Sequence, residues 1–255
     1  MKYYRITRGN SKERPIVAGR LVFDIEEERH LKIVRSGKWH PISANGGLYE
    51  TTGHFTQRAR EAVPKMIYQI GWPEDLPMPE YIAHLSEMDT LVDLFPQKYL
   101  DLFERLDPGQ VDYLPIPRIW MFVRDAYLTE PKYTAVSFLR RINCLDLSKS
   151  WVVKHAYLNG MERFTIEDNN ATINADAVAD VPIWRDTLTN ALLCNDVARE
   201  ALLAISGSTL DFIEWNAASY DGKFPRPMVK DKPAKPGLIT RKYINDIGQY
   251  EAFQE

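Results

Sequence analysis

The stretch VSFLRRINCLDLSKSW, Val136 to Trp151, gathers Cys144, Asp146, Lys149 and several serines into one run, with His155 close behind. Cys144, His155 and Asp146 are the residue types of a thiol nucleophile, its base and an orienting acid, which must meet in space to work. Read as a strand, the run places Ile142, Cys144 and Asp146 on one face and Asn143 and Leu145 on the other. A cysteine among Ile142 and Leu145 is a small core residue more often than a nucleophile. Asp146, just before LSKS, suits a turn, where aspartate and serine bond free backbone amides. The run is therefore expected to be core and turn, with no catalytic residue.

Other chemistries find less support. His30, His40, His54, His84 and His155 are scattered, and none stands three or four residues from another histidine or a cysteine. His40 and His54 bracket a glycine-rich loop, but a zinc site needs three or four ligands, so no metal is expected. SGSTLDF and SANGGLYE lack both the lysine-bearing form of a P-loop and the three-glycine form of a dinucleotide turn. No cofactor is expected.

Binding features are easier to find. Asp24 to Glu28 (DIEEE) reads as a solvated turn between strands or as a surface that meets a basic partner. Trp39, Tyr49 and Phe55 lie in or beside a loop, where aromatics either pin the loop to its own sheet or anchor an interface. Glu26, Glu27, Glu28, Trp39 and Tyr49 are the candidate partner-contact residues.

The chain behind these residues has 255 positions, 45% hydrophobic and 26% charged, as expected of a globular protein with a real core. Its net charge of −3 gives no global basic field for nucleic acid or an anionic membrane. The opening MKYYRITRGNSKERP is polar where a signal peptide is apolar. No apolar run approaches the roughly 20 residues of a membrane span, and a cytoplasmic location is expected. Cys144 and Cys194 both sit in apolar segments, which suits two buried free thiols; one disulfide is the other arrangement.

The elements that must position these groups follow from pattern. Tyr3–Ile6, Ile16–Ile25 and Leu31–Val34 read as strands and Ser36–Phe55 as a long loop. Thr56–Ile70 reads as a helix interrupted at Pro64, followed by the proline-rich GWPEDLPMPE. Strands follow at Arg118–Val123, Thr134–Leu145, Trp151–Tyr157 and Phe164–Ile166. Asp168–Pro182 reads as turns around a short strand. Gly222–Ile239 reads as an irregular tail, and TRKYINDIGQYEAFQE as a short closing helix. A weak internal repeat relates Leu94–Leu114 to Leu193–Ile213 at one offset of 99 positions. Each copy reads as strand, helix, glycine turn and strand, with Pro96 in a first helical turn, Asn195 or Asp196 as an N-cap, and Gly109 and Gly207 as stops. The predicted class is α+β, with antiparallel or mixed sheet and a few helices. The expected organisation is a strand-rich region over 1–75, an α+β domain over 76–215 and a tail over 216–255, or all of these in one compact domain.

Tyr133–Trp151, with Leu145, Asp146 and Ser150, resembles the core strand of a bacterial immunity-protein family from polymorphic-toxin systems, family eleven. Ile183-Trp184-Arg185, the acidic-capped helix Val197–Ile205 and Leu210-Asp211-Phe212 resemble that family's C-terminal pattern. Asp112-Tyr113-Leu114-Pro115 resembles its acidic-aromatic-x-Pro strand. The resemblance covers about Pro79–Trp215, and Ser206-Gly207-Ser208-Thr209 departs from the family's more apolar turn. It implies a cytoplasmic protein that binds and blocks a cognate toxin delivered between cells, as in type VI and related secretion, with no catalytic residues of its own. The competing reading is a thiol hydrolase, or an enzyme that reverses a toxin's modification, using Cys144 and His155.

Overall fold

A computed structural model describes residues 1–7, 19–23, 50, 52–63, 66–70, 78, 80–85, 91–121, 124–147, 149–157, 162–166, 171–205, 208, 210–215 and 238–243. The described residues begin with β1 (Tyr3–Thr7), β2 (Gly19–Phe23), helix α1 (Gln57–Ala62), β3 (Met66–Ile70), β4 (Ile82–Leu85) and β5 (Leu91–Pro96). A 3-10 turn (Gln97–Tyr99) runs into helix α2 (Leu100–Leu106), then β6 (Val111–Pro115), β7 (Ile119–Met121), β8 (Ala126–Tyr127), β9 (Tyr133–Phe138) and β10 (Arg141–Ile142). The chain continues through β11 (Val152–Tyr157), β12 (Glu162–Ile166), β13 (Ile183–Asp186), β14 (Leu192–Asn195), helix α3 (Asp196–Leu203), β15 (Asp211–Glu214) and β16 (Leu238–Tyr243). Among the described residues these strands form four sheets, ordered β10-β13-β14-β1-β15, β12-β11-β16, β2-β3-β7-β8 and β4-β5-β9-β6. The strand pairs among the described residues are mostly antiparallel, with β3–β7 and β10–β13 parallel, so the α+β expectation is met.

The chain divides into two compact units, one of residues 1–5, 141–196 and 213–255, the other of residues 6–140 and 197–212. In the first, Cys144, Val152, Trp184, Leu193 and Trp215 form a core joined by Tyr3, whose ring meets Trp184 edge-on. In the second, Phe55, Tyr68, Leu94, Leu114 and Tyr133 share a core. An aromatic stack there runs from Tyr81 onto Phe95 and through Phe103 to Phe138, with centroids 4.6–5.1 Å apart. These ring pairs adopt the stacked and edge-to-face geometries that aromatic quadrupoles favour.

Several local expectations change. The helix expected over Thr56–Ile70 stops at Ala62, and beyond Pro64 the residues Met66–Ile70 pair with both β2 and β7 as a strand. Proline lacks the N–H that would continue the helix, and MIYQI is rich in β-formers. The single strand expected over Thr134–Leu145 breaks at Leu139-Arg140. There Leu139 N–H donates to Gln110, and Arg140 forks onto Asp107 at 2.7 and 3.1 Å. The expected closing helix begins as strand instead: Leu238–Tyr243 pairs antiparallel with β11.

The two segments of the internal repeat are both strand, helix and strand, and at the same 99-position offset their elements coincide. β5 and β6 flank β9, and β14 and β15 flank β1. Gly109 has φ +69°, the left-handed conformation that stops a helix; Gly207 lies outside the described residues.

Candidate functional site

Cys144 sits between β10 and the bridge that pairs Leu145 with Ile173, not in a continuous strand. Cys144 and Leu145 are therefore both buried, and strict alternation fails there. Cys144 is 0% exposed. Its Sγ accepts the Trp184 indole N–H at 3.3 Å and its thiol donates to Asp186 Oδ1 at 3.5 Å. Burial first, and then the Asp186 charge, push this thiol far above the ordinary cysteine range. A reactive thiol needs the opposite environment, electropositive and open. The backbone of His155 lies in β11, opposite Arg163 of β12.

Asp186, also 0% exposed, is spent on its own hairpin. Its Oδ2 accepts from Thr189 N and Oγ1, both at 2.7 Å, and Oδ1 also receives the Cys144 amide at 3.4 Å. Arg185 donates to the Asn190 carbonyl in the same turn, where Asn190 takes φ +55°. Asparagine tolerates that left-handed conformation better than most residues.

The Leu145, Asp146 and Ser150 pattern is a clamp on residues 171–174. Asp146 N–H donates to Thr172 O at 2.9 Å. Buried Ser150 Oγ accepts from Thr172 N at 2.9 Å and donates to Thr172 O at 3.3 Å. Asp146 also closes the expected turn: its carbonyl accepts from Lys149 N, and its carboxylate pairs with Lys149 Nζ at 3.2 Å.

The second unit has its own polar centre at Asp112. Arg60 NH2 lies 2.6 Å from both carboxylate oxygens, and the amides of Phe55 and Tyr113 each donate at 2.8 Å. His54 Nδ1 stands 3.4 Å from Oδ2. Burial alone would raise this carboxyl; Arg60 and the two amides outweigh it and hold Asp112 below the usual range. Thr56 caps α1 by accepting from Ala59 N at 3.1 Å, and Ser137 Oγ donates to Gly53 O at 2.6 Å. The segment before α1 is thus tied to the sheet through β6 and β9.

A third cluster, not anticipated from sequence, joins Lys98, Glu80, Tyr99 and Ser208. Lys98 Nζ lies 2.9 Å from Glu80 Oε1, and the Tyr99 hydroxyl bonds both Glu80 Oε2 and Ser208 Oγ. Burial, then Glu80, raise the Tyr99 phenol. Ser208 belongs to the stretch in which the sequence departs from the immunity-family pattern, and its hydroxyl is taken up by this buried phenol.

Among the described residues no group of three or more His, Cys, Asp or Glu side chains could hold a metal ion. No helix among them is long and apolar enough to cross a membrane. Cys144 and Cys194 are both buried thiols, not joined in a disulfide. Glu26, Glu27, Glu28, Trp39 and Tyr49, with His30 and His40, lie outside the described residues.

The sequence model of the Immunity protein family (Imm11) matches residues 52–218, well over half of the chain. The chain belongs to the Imm11 family. The Imm11 match starts earlier than the resemblance at Pro79, and it takes in Gly53, Phe55 and α1, the segment that Asp112 and Ser137 fasten. It therefore reaches into the first 75 residues, while Glu26, Glu27, Glu28, Trp39 and Tyr49 precede it. Neither a curated protein nor a solved structure matches this Imm11 chain.

Proposed function

We propose that this Imm11 protein protects its host cell by binding a cognate toxin through direct contact and blocking it, without turning over a substrate. The observation that carries the reading is membership of an immunity family across residues 52–218. The fate of the motif side chains supports it: Asp112, Asp146, Ser150 and Asp186 are occupied in holding segments of the fold together. Cys144, the residue a thiol-hydrolase reading depends on, is 0% exposed. Inhibition asks only for a surface that covers the toxin's active site or stops its closure, and stable complexes bury about 1,600 Å².

The proposed setting is the cytoplasm, where the toxin arrives from a competing cell. The acidic run ending in Glu26, Glu27 and Glu28, with Trp39 and Tyr49, is proposed to contribute to the contact surface. The test is co-expression with the toxin domain encoded by the neighbouring gene. Rescue of growth together with a stoichiometric complex on size-exclusion chromatography is the expected result. A neighbour with no toxic activity, or a toxin that neither binds nor is neutralised, would overturn the proposal.

A further inference from the structure

The internal repeat supplies a control within one chain. At the 99-position offset, residues 97–106 fall on residues 196–205, and their burial largely corresponds: Tyr99 and Ala198 are buried, as are Phe103 and Leu202. The exposed positions correspond too, as Lys98 with Val197, Asp101 with Glu200, Glu104 with Leu203 and Arg105 with Ala204. In the first copy they carry two cations and two anions, which is what a solvated helix face requires. In the second they carry one acid and three apolar residues. Val197 is 62% exposed and Leu203 39%; apart from Met1 they are the exposed large hydrophobic residues of the described chain.

Charge narrows what this face fits. Arg199, the cation of α3, is only partly exposed and holds its guanidinium 5.5 Å over the Phe212 ring. The outer face is left with Glu200 beside the apolar residues, and Asp196 begins the helix. A second copy docked two-fold through this face would bring like acids together, which opposes association. An apolar centre ringed by lysine or arginine would meet it with both terms favourable.

Resting on the immunity reading above, we infer that the outer face of α3, formed by Val197, Glu200, Leu203 and Ala204, is a contact surface for the toxin, which presents a basic-rimmed apolar patch to it. A helix of this length spans about 12 Å, so it supplies the centre of an interface whose flanks come from other elements.

The experiment measures affinity for the purified toxin domain encoded by the neighbouring gene, using the full chain. Val197→Asp with Leu203→Asp is expected to weaken binding by about 100-fold or more, as loss of a central anchor does. A control change on the exposed face of α2, Asp101→Lys with Arg105→Asp, should stay within about threefold, in the range of peripheral contacts. Glu200→Lys should lose about tenfold, chiefly in association rate and less so at high salt. Melting temperatures near wild type establish that the variants are folded; if the double variant fails to fold, Glu200→Lys decides. Retained affinity in the α3 variants, with the wild type binding, overturns this inference and leaves the immunity reading intact. A wild type that does not bind overturns both. A wild-type dimer on sedimentation that Leu203→Asp dissolves would assign the face to a second copy and overturn the toxin contact.

Discussion

Ser150 and Thr172 exchange two hydrogen bonds through one hydroxyl, at 2.9 Å from the Thr172 amide and 3.3 Å to its carbonyl. Both residues are buried, so the Thr172 amide has no water to turn to when that hydroxyl is lost, while its carbonyl keeps the Asp146 N–H. Ser150→Ala should cost about 1–3 kcal/mol, the penalty for an orphaned buried donor. Urea denaturation would measure it; a loss within about 0.5 kcal/mol, typical of a plain surface change, would contradict the clamp.

Cys144→Ser separates scaffold from catalyst. The serine variant should retain toxin neutralisation and lose about 1–2 kcal/mol, since a hydroxyl replaces a thiol in a dry setting. In the native wild type, neither Cys144 nor Cys194 should react with a thiol reagent, and both should react after denaturation. Loss of neutralisation with the fold intact would restore the enzymatic reading.

Asp112 makes stability depend on acid. Its folded pKa is depressed, so its contribution is complete above the unfolded carboxyl pKa of about 3.9 and is lost as pH falls through the lower folded value. Asp112→Asn should therefore destabilise at neutral pH, by about 1–2 kcal/mol once solvent screening at half-exposed Arg60 is allowed for. Stability of the variant should also change less below pH 4. Parallel wild-type and variant curves through that range would reject this role.

Reversing Glu26, Glu27 and Glu28 to lysine tests the acidic run ahead of the family match. Association with the toxin should slow by about tenfold at low salt and lose part of its salt dependence. Stopped-flow mixing reads this directly, and unchanged kinetics would remove the run from the contact surface.

What the sequence disclosed is mostly local grammar. Gly109 and the spacing of Leu94, Phe103 and Leu114 encode a strand, a helical run and a strand within one short segment, although Pro96, expected in the first helical turn, ends β5 with extended backbone just before it. Features set by distant partners were not. The strand ends at Phe138 and Arg140 pairs with Asp107, and no spacing rule couples those two residues. Cys144 meets Trp184 and Asp186 from some 40 residues upstream, so its burial was legible from composition while its partners were not. Strand Leu238–Tyr243 hides in a lysine-rich tail because pairing with β11 decides its conformation.

Strand β1 sits inside its sheet, between β14 and β15. Residues 3–7 must therefore wait, during synthesis, for partners near residues 192–195 and 211–214 to leave the ribosome. Contacts of such sequence separation form slowly. On the proposed immunity role, nascent chains would then give no shelter, and protection would rest on a standing stock of finished molecules made before the attack.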